Sequence, residues 1–126
     1  MKKLSLKLGL VSVLLGFAFS ANAEDRIAEV WNCKAEEGKT IADVQAANGK
    51  WVKYMNANVA GGDINSYVLT PVVGKRGVFT YVDSYPNLAS WTAGQALESD
   101  ELTAIEAELN EVATCSENSL HNSEKS

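Results

Sequence analysis

Two stretches of the chain repeat apolar residues at the spacing of an amphipathic helix. The first stretch has five such positions: Ile41, Val44, Ala47, Trp51 and Met55. Because they lie three or four residues apart, they would form one apolar stripe that faces a core. Thr40 and Asp43 have the spacing of a capping box, so we expect a helix that begins after Thr40 and ends near Asn58.

The second helical stretch follows Ser99, a favourable N-cap residue. Asp100 would lie in its first turn, where the helix dipole favours negative charge. The apolar positions again step by three or four: Leu102, Ile105, Leu109 and Val112. We interpret the acidic residues on the other faces as a solvated surface and not as a catalytic carboxylate set: Glu101, Glu108 and Glu111.

Strand-forming residues occupy much of the remaining chain. Four strands are predicted, over residues 26–34, 66–73, 78–83 and 114–122. Pro71 lacks an amide donor, so the second strand is expected at a sheet edge or with a bulge. Residues 74–77 would form a tight hairpin turn into the third strand. A short helix is expected to start at Ser84 and Pro86.

The third strand has the clearest alternation, with Val78, Thr80 and Val82 on one face and Tyr81 and Asp83 on the other. The order of the elements is β-α-β-β-α-β, the split βαβ arrangement of ferredoxin-like folds. We therefore predict an α+β ferredoxin-like fold with one antiparallel sheet, in which the last strand lies beside the first.

The first 23 residues have the three parts of a secretory signal peptide. Three lysines (Lys2, Lys3 and Lys7) precede an apolar run over residues 8–19, and residues 21–23 (Ala-Asn-Ala) offer a small-x-small cleavage pattern. The run is shorter than the roughly 20 residues of a transmembrane helix. We expect cleavage after Ala23, a periplasmic or secreted protein with one domain over residues 24–122, and a disordered tail over residues 123–126.

Charge limits the partners of this domain. Sixteen acidic and eleven basic residues give the chain a net charge of −5, and 46% of its residues are hydrophobic. Without the three lysines of the leader the charge is −8. An acidic domain without a basic patch is a poor partner for nucleic acid or for an anionic membrane, so we expect neither.

The two cysteines favour a disulfide. In an oxidising compartment a pair of cysteines in one small domain is typical of a disulfide and not of a metal site or a nucleophile. In the predicted topology Cys33 ends the first strand and Cys115 opens the neighbouring last strand, so the two would meet. The chain has one histidine, His121, and no CxxC spacing, so no metal is expected.

The strand-to-helix stretch FTYVDSYPNLASW (residues 79–91) and the segment Glu37-Gly38-Lys39 resemble the dimeric α/β-barrel superfamily. Within it, they are similar to exported relatives of antibiotic-biosynthesis monooxygenase-like and NIPSNAP-like domains. The resemblance implies a homodimer whose two sheets pack face to face, with a pocket between each sheet and its own helices. Members include cofactor-independent oxygenases of aromatic polyketides, lactone isomerases and haem-degrading proteins, and many have no known activity.

One departure from the superfamily concerns histidine. Haem-degrading members and several oxygenases carry a histidine on the helix after the third strand, where this chain has Ala93-Gly94. We therefore expect no haem and no other cofactor, and we interpret His121 as a solvated residue. Proton transfer would then need a buried carboxylate or tyrosine. Asp83 and Tyr81 are the catalytic candidates, although we favour the interpretation of Asp83 as a helix cap.

Aromatic residues are more numerous than such a small core needs, and flat rings in a pocket stack on planar ligands. Six residues are candidates for ligand binding: Trp31, Trp51, Asn58, Tyr67, Tyr81 and Trp91. Asn48 and Asn56 are further candidates for orienting a ligand. The alternative is that Trp51 and Trp91 are core anchors and that the asparagines belong to the end of the helix.

These observations leave binding and catalysis both open. The first hypothesis is a homodimer that binds a small aromatic or apolar molecule without catalysis, because no nucleophile, metal set or phosphate loop is visible. The alternative is a cofactor-independent monooxygenase or isomerase that acts on an aromatic or polyketide-like small molecule. Haem binding is the least favoured hypothesis, since the expected histidine is missing.

Overall fold

The computed structural model describes residues 25–126, so the predicted signal peptide lies outside the described residues. Seven elements follow one another: β1 (Arg26–Ala35), α1 (Ile41–Asn58), β2 (Asn65–Leu69), β3 (Val78–Tyr85), α2 (Leu88–Gln95), α3 (Asp100–Val112) and β4 (Ala113–Ser123). No helix in residues 25–126 is long and apolar enough to cross a membrane.

The four strands form one sheet in the order β2-β3-β1-β4, and every neighbouring pair is antiparallel. This topology confirms the predicted α+β ferredoxin-like fold, with the last strand beside the first. The alternate buried residues of β1 and β3 point to one face, which we call the covered face because the helices pack on it. The opposite face has no layer over it in the described chain, and we call it the open face.

Polar caps define the helix starts as the sequence predicts. The Asp43 backbone N–H donates to the Thr40 hydroxyl (3.2 Å), and the Thr40 backbone N–H donates to the Asp43 carboxylate (2.8 Å). Donation to the Asp43 carboxylate by the Thr40 backbone N–H, and also by the Thr40 hydroxyl, holds the pKa of this carboxyl below its ordinary value. At α3 the Ser99 hydroxyl accepts from the Leu102 N–H (3.0 Å). Each bond satisfies a backbone group that the helix itself leaves unpaired.

The hairpin between β2 and β3 differs from the prediction. β2 ends at Leu69 and not at Val73, and residues 70–77 form a loop longer than the expected tight turn. β2 lies at the sheet edge, as Pro71 suggested, and its last ladder partner is Thr80. Beyond that point Pro71 has no N–H to donate, and Val72 is 99% exposed.

The start of α2 is a second correction. Ser84 does not begin a helix, because β3 continues to Tyr85 and pairs there with β1. The N-cap of α2 is Asn87, whose side-chain oxygen accepts from the Ser90 N–H (2.8 Å). Asp83 is therefore not a helix cap but a buried residue on the covered face of β3.

The disulfide between Cys33 and Cys115 is confirmed, and it joins residues that are direct ladder partners of β1 and β4. The ladder register shifts next to it, between Asn32 and Cys33. β4 pairs with β1 as far as Ser123. Disorder beyond this residue stays a prediction.

Candidate ligand-binding site

A cavity of about 710 Å³ lies between the covered face of the sheet and the helices α1 and α3. This volume is in the range of small-molecule sites. The lining comes from six elements: Glu29 and Trp31 (β1); Asn48 and Trp51 (α1); Tyr81, Asp83 and Tyr85 (β3); Gln95 (α2); Glu106, Leu109 and Asn110 (α3); Ala113, Thr114 and Cys115 (β4).

Three of the six candidate ligand-binding residues line this cavity: Trp31, Trp51 and Tyr81. Both catalytic candidates, Tyr81 and Asp83, are also in the lining. They share one face of β3 because strand residues two apart point the same way, as the alternation predicted.

The other three candidates have different surroundings. Tyr67 lies on the open face of β2 and is half exposed. The Asn58 side chain donates to the Tyr54 carbonyl oxygen at the end of α1 (2.8 Å). The Trp91 indole N–H donates to Glu29 (3.0 Å), so Trp91 supports a cavity residue without lining the cavity itself.

The asparagines of α1 also divide. Asn48 is buried and lines the cavity. Asn56 instead holds the loop before β2, because its side chain accepts from the Ile64 N–H (2.8 Å) and donates to the Ile64 carbonyl oxygen (2.8 Å).

Two carboxylates lie side by side on the cavity floor. Glu29 and Asp83 are direct ladder partners of β1 and β3, and each is only 6% exposed. Both oxygens of Glu29 accept hydrogen bonds, one from Trp91 (3.0 Å) and one from the Asn118 side chain (2.9 Å). Buried carboxylates are tolerated where such hydrogen-bond donors exist, and here the two donors fix the position of the Glu29 side chain.

Sequence reasoning missed Glu29. The signal that could have found it is its position between Ile27 and Trp31, two alternate residues of a strand whose side chains share a face.

Asp83 is held by a short chain of polar side chains. The Asn48 amide donates to the Ser66 hydroxyl oxygen (2.8 Å), and the Ser66 hydroxyl donates to Asp83 Oδ1 (2.5 Å). Burial raises the pKa of Asp83 from 3.8 to about 7, the Ser66 bond works against this rise, and the negative charge of Glu29 adds to it. A carboxyl with such a pKa can accept and release a proton near neutral pH.

Two buried tyrosine hydroxyls face this carboxylate pair without a hydrogen-bond partner among the described residues: Tyr81 and Tyr85. Burial and the charge of Asp83 raise the pKa of Tyr81 to about 12. Burial, with Asp83 and Glu29, also raises the pKa of Tyr85. Both tyrosines are therefore protonated at neutral pH, and the hydrogen-bonding capacity of each buried hydroxyl is unused by the described residues. Buried polar groups normally have a partner, so these two indicate a place for one.

The lining is strongly one-sided in charge. Among the described residues that line the cavity, three are carboxylates (Glu29, Asp83 and Glu106) and none is Lys, Arg or His. Within residues 25–126 no group of three or more His, Cys, Asp or Glu side chains is arranged to hold a metal ion.

Neither a protein-family model nor a curated protein matches this chain. Solved structures do. SnoaB, a cofactor-independent oxygenase from Streptomyces nogalater, superposes with a TM-score of 0.59 at 12% identity, over 81% of this chain and 96% of that chain. A NIPSNAP-like domain protein from Burkholderia xenovorans gives a TM-score of 0.51 at 9% identity, over 79% and 84%.

A dimeric ferredoxin-like protein of unknown function from Thermobifida fusca gives a TM-score of 0.51 at 11% identity, over 80% of this chain and 92% of that chain. All three likenesses concern the fold. They confirm the ferredoxin-like α+β architecture that the sequence predicted and that the resemblance to the dimeric α/β-barrel superfamily implied.

Proposed function

We propose that this protein binds a small, largely aromatic molecule in the cavity between the covered face and the helices. The pair of buried, unpartnered hydroxyls of Tyr81 and Tyr85 is the observation that carries the proposal. Leaving a buried hydroxyl unpaired costs about 1–3 kcal/mol, and a bound molecule that pairs with it would recover that energy. Trp31 and Trp51 supply the flat apolar surface beside these hydroxyls.

We also propose that the protein is exported and acts as a homodimer. Export is supported by the leader sequence and by the disulfide, a bond typical of oxidising compartments. Dimerisation is supported by the open face, where Tyr67 is 54% and Leu69 is 52% exposed. The Thermobifida protein with the same fold is described as dimeric. Pairing of two open faces would cover these side chains.

A second candidate function is proton transfer on the bound molecule, as in a cofactor-independent oxygenase or an isomerase. Asp83 favours it, because a buried carboxylate with a pKa near 7 is suited to remove a proton at neutral pH. The Tyr81 and Tyr85 hydroxyls could then donate to the oxygen on which negative charge develops. SnoaB, which shares the fold, is described as a cofactor-independent oxygenase.

Native mass spectrometry of the protein purified from an exporting host tests the proposal. We expect a dimer whose chains begin at Glu24, are lighter by the hydrogens lost on forming one disulfide, and carry the mass of a bound molecule. Trp51→Ala should lose that extra mass, while Leu88→Ala, at a half-exposed position of α2 outside the cavity lining, should keep it. A monomer without any bound molecule would contradict both the binding and the dimer proposals.

The bound molecule then separates binding from catalysis. Incubating it with the protein in air and following it by mass spectrometry would reveal oxygen incorporation or isomerisation. Asp83→Asn should abolish such turnover if Asp83 is the proton acceptor. An unchanged molecule after prolonged incubation with the unmodified protein would rule out the second candidate and leave binding alone.

A further inference from the structure

The charge of the cavity points to the chemical class of its ligand. We propose that the cavity selects a primary or secondary amine in its protonated form, carried on an aromatic or apolar body. This inference rests on the proposed binding function and adds the ligand class to it.

The two carboxylates on the cavity floor favour a cationic ligand. Glu29 and Asp83 are ladder partners, so their like charges oppose each other at close range. A cation between or beside them would relieve this repulsion, whereas an anion would add to it. Glu106 on the exposed side of α3 extends the negative charge to the rim.

Among residues 25–126, no basic side chain lies in this lining. Two basic residues on elements that form the cavity pair elsewhere: Arg26 with Asp63 (2.9 Å) and Lys50 with Glu108 (2.9 Å). Trp91 and Asn118 donate to Glu29 as neutral groups, and Ser66 donates to Asp83 in the same way. Hydrogen bonds of this kind hold the carboxylates in place but leave their negative charge uncompensated.

The aromatic residues of the lining independently favour a cationic ligand. Four rings line the same cavity: Trp31, Trp51, Tyr81 and Tyr85. The face of an aromatic ring attracts an ammonium group, and this attraction is strongest where water is excluded. Each free tyrosine hydroxyl oxygen can also accept a hydrogen bond from an ammonium N–H. Carboxylates, ring faces and hydroxyl oxygens therefore all favour the same cationic group.

The size and overall charge of the protein agree with this class. A cavity of about 710 Å³ has room for an aromatic body in addition to the ammonium group. The net charge of −5 gives the whole chain a field that attracts cations and repels anions.

Three probes of similar shape test the class by isothermal titration calorimetry at about pH 8, where a primary amine is still protonated. They are 2-phenylethylamine (a cation), 2-phenylethanol (neutral) and 3-phenylpropanoate (an anion). We expect the amine to bind at least about tenfold more tightly than the alcohol, a difference of about 1.4 kcal/mol, and the carboxylate to bind most weakly.

Variants locate the effect. Asp83→Asn should weaken binding of the amine by about tenfold relative to binding of the alcohol. Glu106→Gln, at an exposed rim position that cannot disturb folding, should weaken the amine by about twofold to threefold, as expected of a partly solvated charge. Glu37→Gln, at an exposed position of the turn after β1 and outside the cavity lining, is the matched control for a general loss of negative charge and should change neither affinity.

The results distinguish the proposed amine class of the ligand from the more general proposal that the cavity binds a small molecule. Binding of the alcohol as tight as that of the amine, or an amine affinity that neither Asp83→Asn nor Glu106→Gln changes, overturns the amine class. If the alcohol still binds and Trp51→Ala removes this binding, the cavity remains a binding site. Failure of all three probes overturns the amine class, and failure of native mass spectrometry to find any bound molecule overturns the binding function as well.

Discussion

The two faces of this sheet each depart in part from the usual distribution of polar and apolar residues. Antiparallel sheets commonly bury their apolar side chains and expose their polar ones. Here the covered face carries Glu29 and Asp83. The open face brings Val30 opposite Val82 and exposes half of Tyr67. The same strands contribute to both faces, so these departures lie at alternate positions along each strand.

The difference between the faces indicates a separate role for each. A carboxylate moved out of water destabilises the folded state unless it has partners. A protein that places two of them under its helices therefore gives up stability at that point, which is typical of a functional site. Apolar residues on a face without a covering layer instead indicate a surface that another molecule covers. Both features support our proposals that the covered face binds a ligand and that the open face mediates self-association.

The largest expected effect comes from the disulfide, which fixes the edge of the covered face. Replacing both cysteines (Cys33→Ala with Cys115→Ala) should lower the free energy of unfolding by about 4 kcal/mol, because the bond closes a loop of 82 residues. Urea unfolding measures the change, and the reduced unmodified protein should match the variant. A loss below about 1 kcal/mol would show that β1 and β4 hold together without the bond.

The second prediction concerns the acid under the helices. The pKa of Asp83 is raised from 3.8 to about 7 in the folded protein. Its ionisation therefore favours the unfolded chain, and stability is lost progressively as the pH rises from about 4 to about 7. Asp83→Asn should escape this loss and be more stable than the unmodified protein by roughly 2–4 kcal/mol at about pH 8, with a much smaller difference near pH 4.

The open face supplies the matched control for this experiment. Glu117 lies on that face of β4, opposite Asn32, and is exposed. Glu117→Gln leaves Asp83 in place, so this variant should keep the pH dependence of stability that Asp83 gives the unmodified protein. Equal behaviour of the two variants would contradict the distinction between the faces.

The third prediction concerns self-association through the open face. Val82→Glu places a charge at the centre of the proposed dimer contact and should weaken self-association by about tenfold or more, or about 1.4 kcal/mol, without unfolding the chain. Sedimentation equilibrium measures the association, and circular dichroism checks the fold. Ala104→Glu, on the exposed surface of α3, should leave association unchanged. A dimer that survives Val82→Glu would place the contact elsewhere.

The smallest effect sharpens the account of the covered face. Ser66→Ala removes a hydrogen bond that favours the charged form of Asp83. The pKa of Asp83 should therefore rise further above its ordinary value, while stability changes by only about 1 kcal/mol. Carbon-detected NMR of the Asp83 carboxyl follows the titration. Ser119→Ala, on the exposed open face of β4, is the control and should not shift it.

The sequence alone predicted those features that depend on neighbouring residues. The capping box of Thr40 and Asp43, the cap at Ser99 and the alternation of β3 are local patterns, and the structure confirms all three. The pairing of Cys33 with Cys115 also followed, because the order of elements brings their strands together.

Features that depend on distant partners could not be predicted. Glu29 is held by Trp91 and Asn118, which lie 62 and 89 positions away in the chain. Asp83 has a local sequence context that suits a helix cap equally well. Only the continued pairing of β3 with β1 as far as Tyr85 shows that it belongs to the strand and is buried. The end of β2 likewise depends on where the β3 ladder stops.

The proposed role of the covered face depends on one feature, a buried carboxylate beside a cavity. Titration of the Asp83 carboxyl carbon by NMR in the unmodified protein tests it most directly. We expect a titration midpoint near pH 7, because burial raises the pKa of this group to about 7. A midpoint near pH 4, the ordinary value for an aspartic acid in water, would show that the carboxyl is solvated and would contradict the assignment of the covered face.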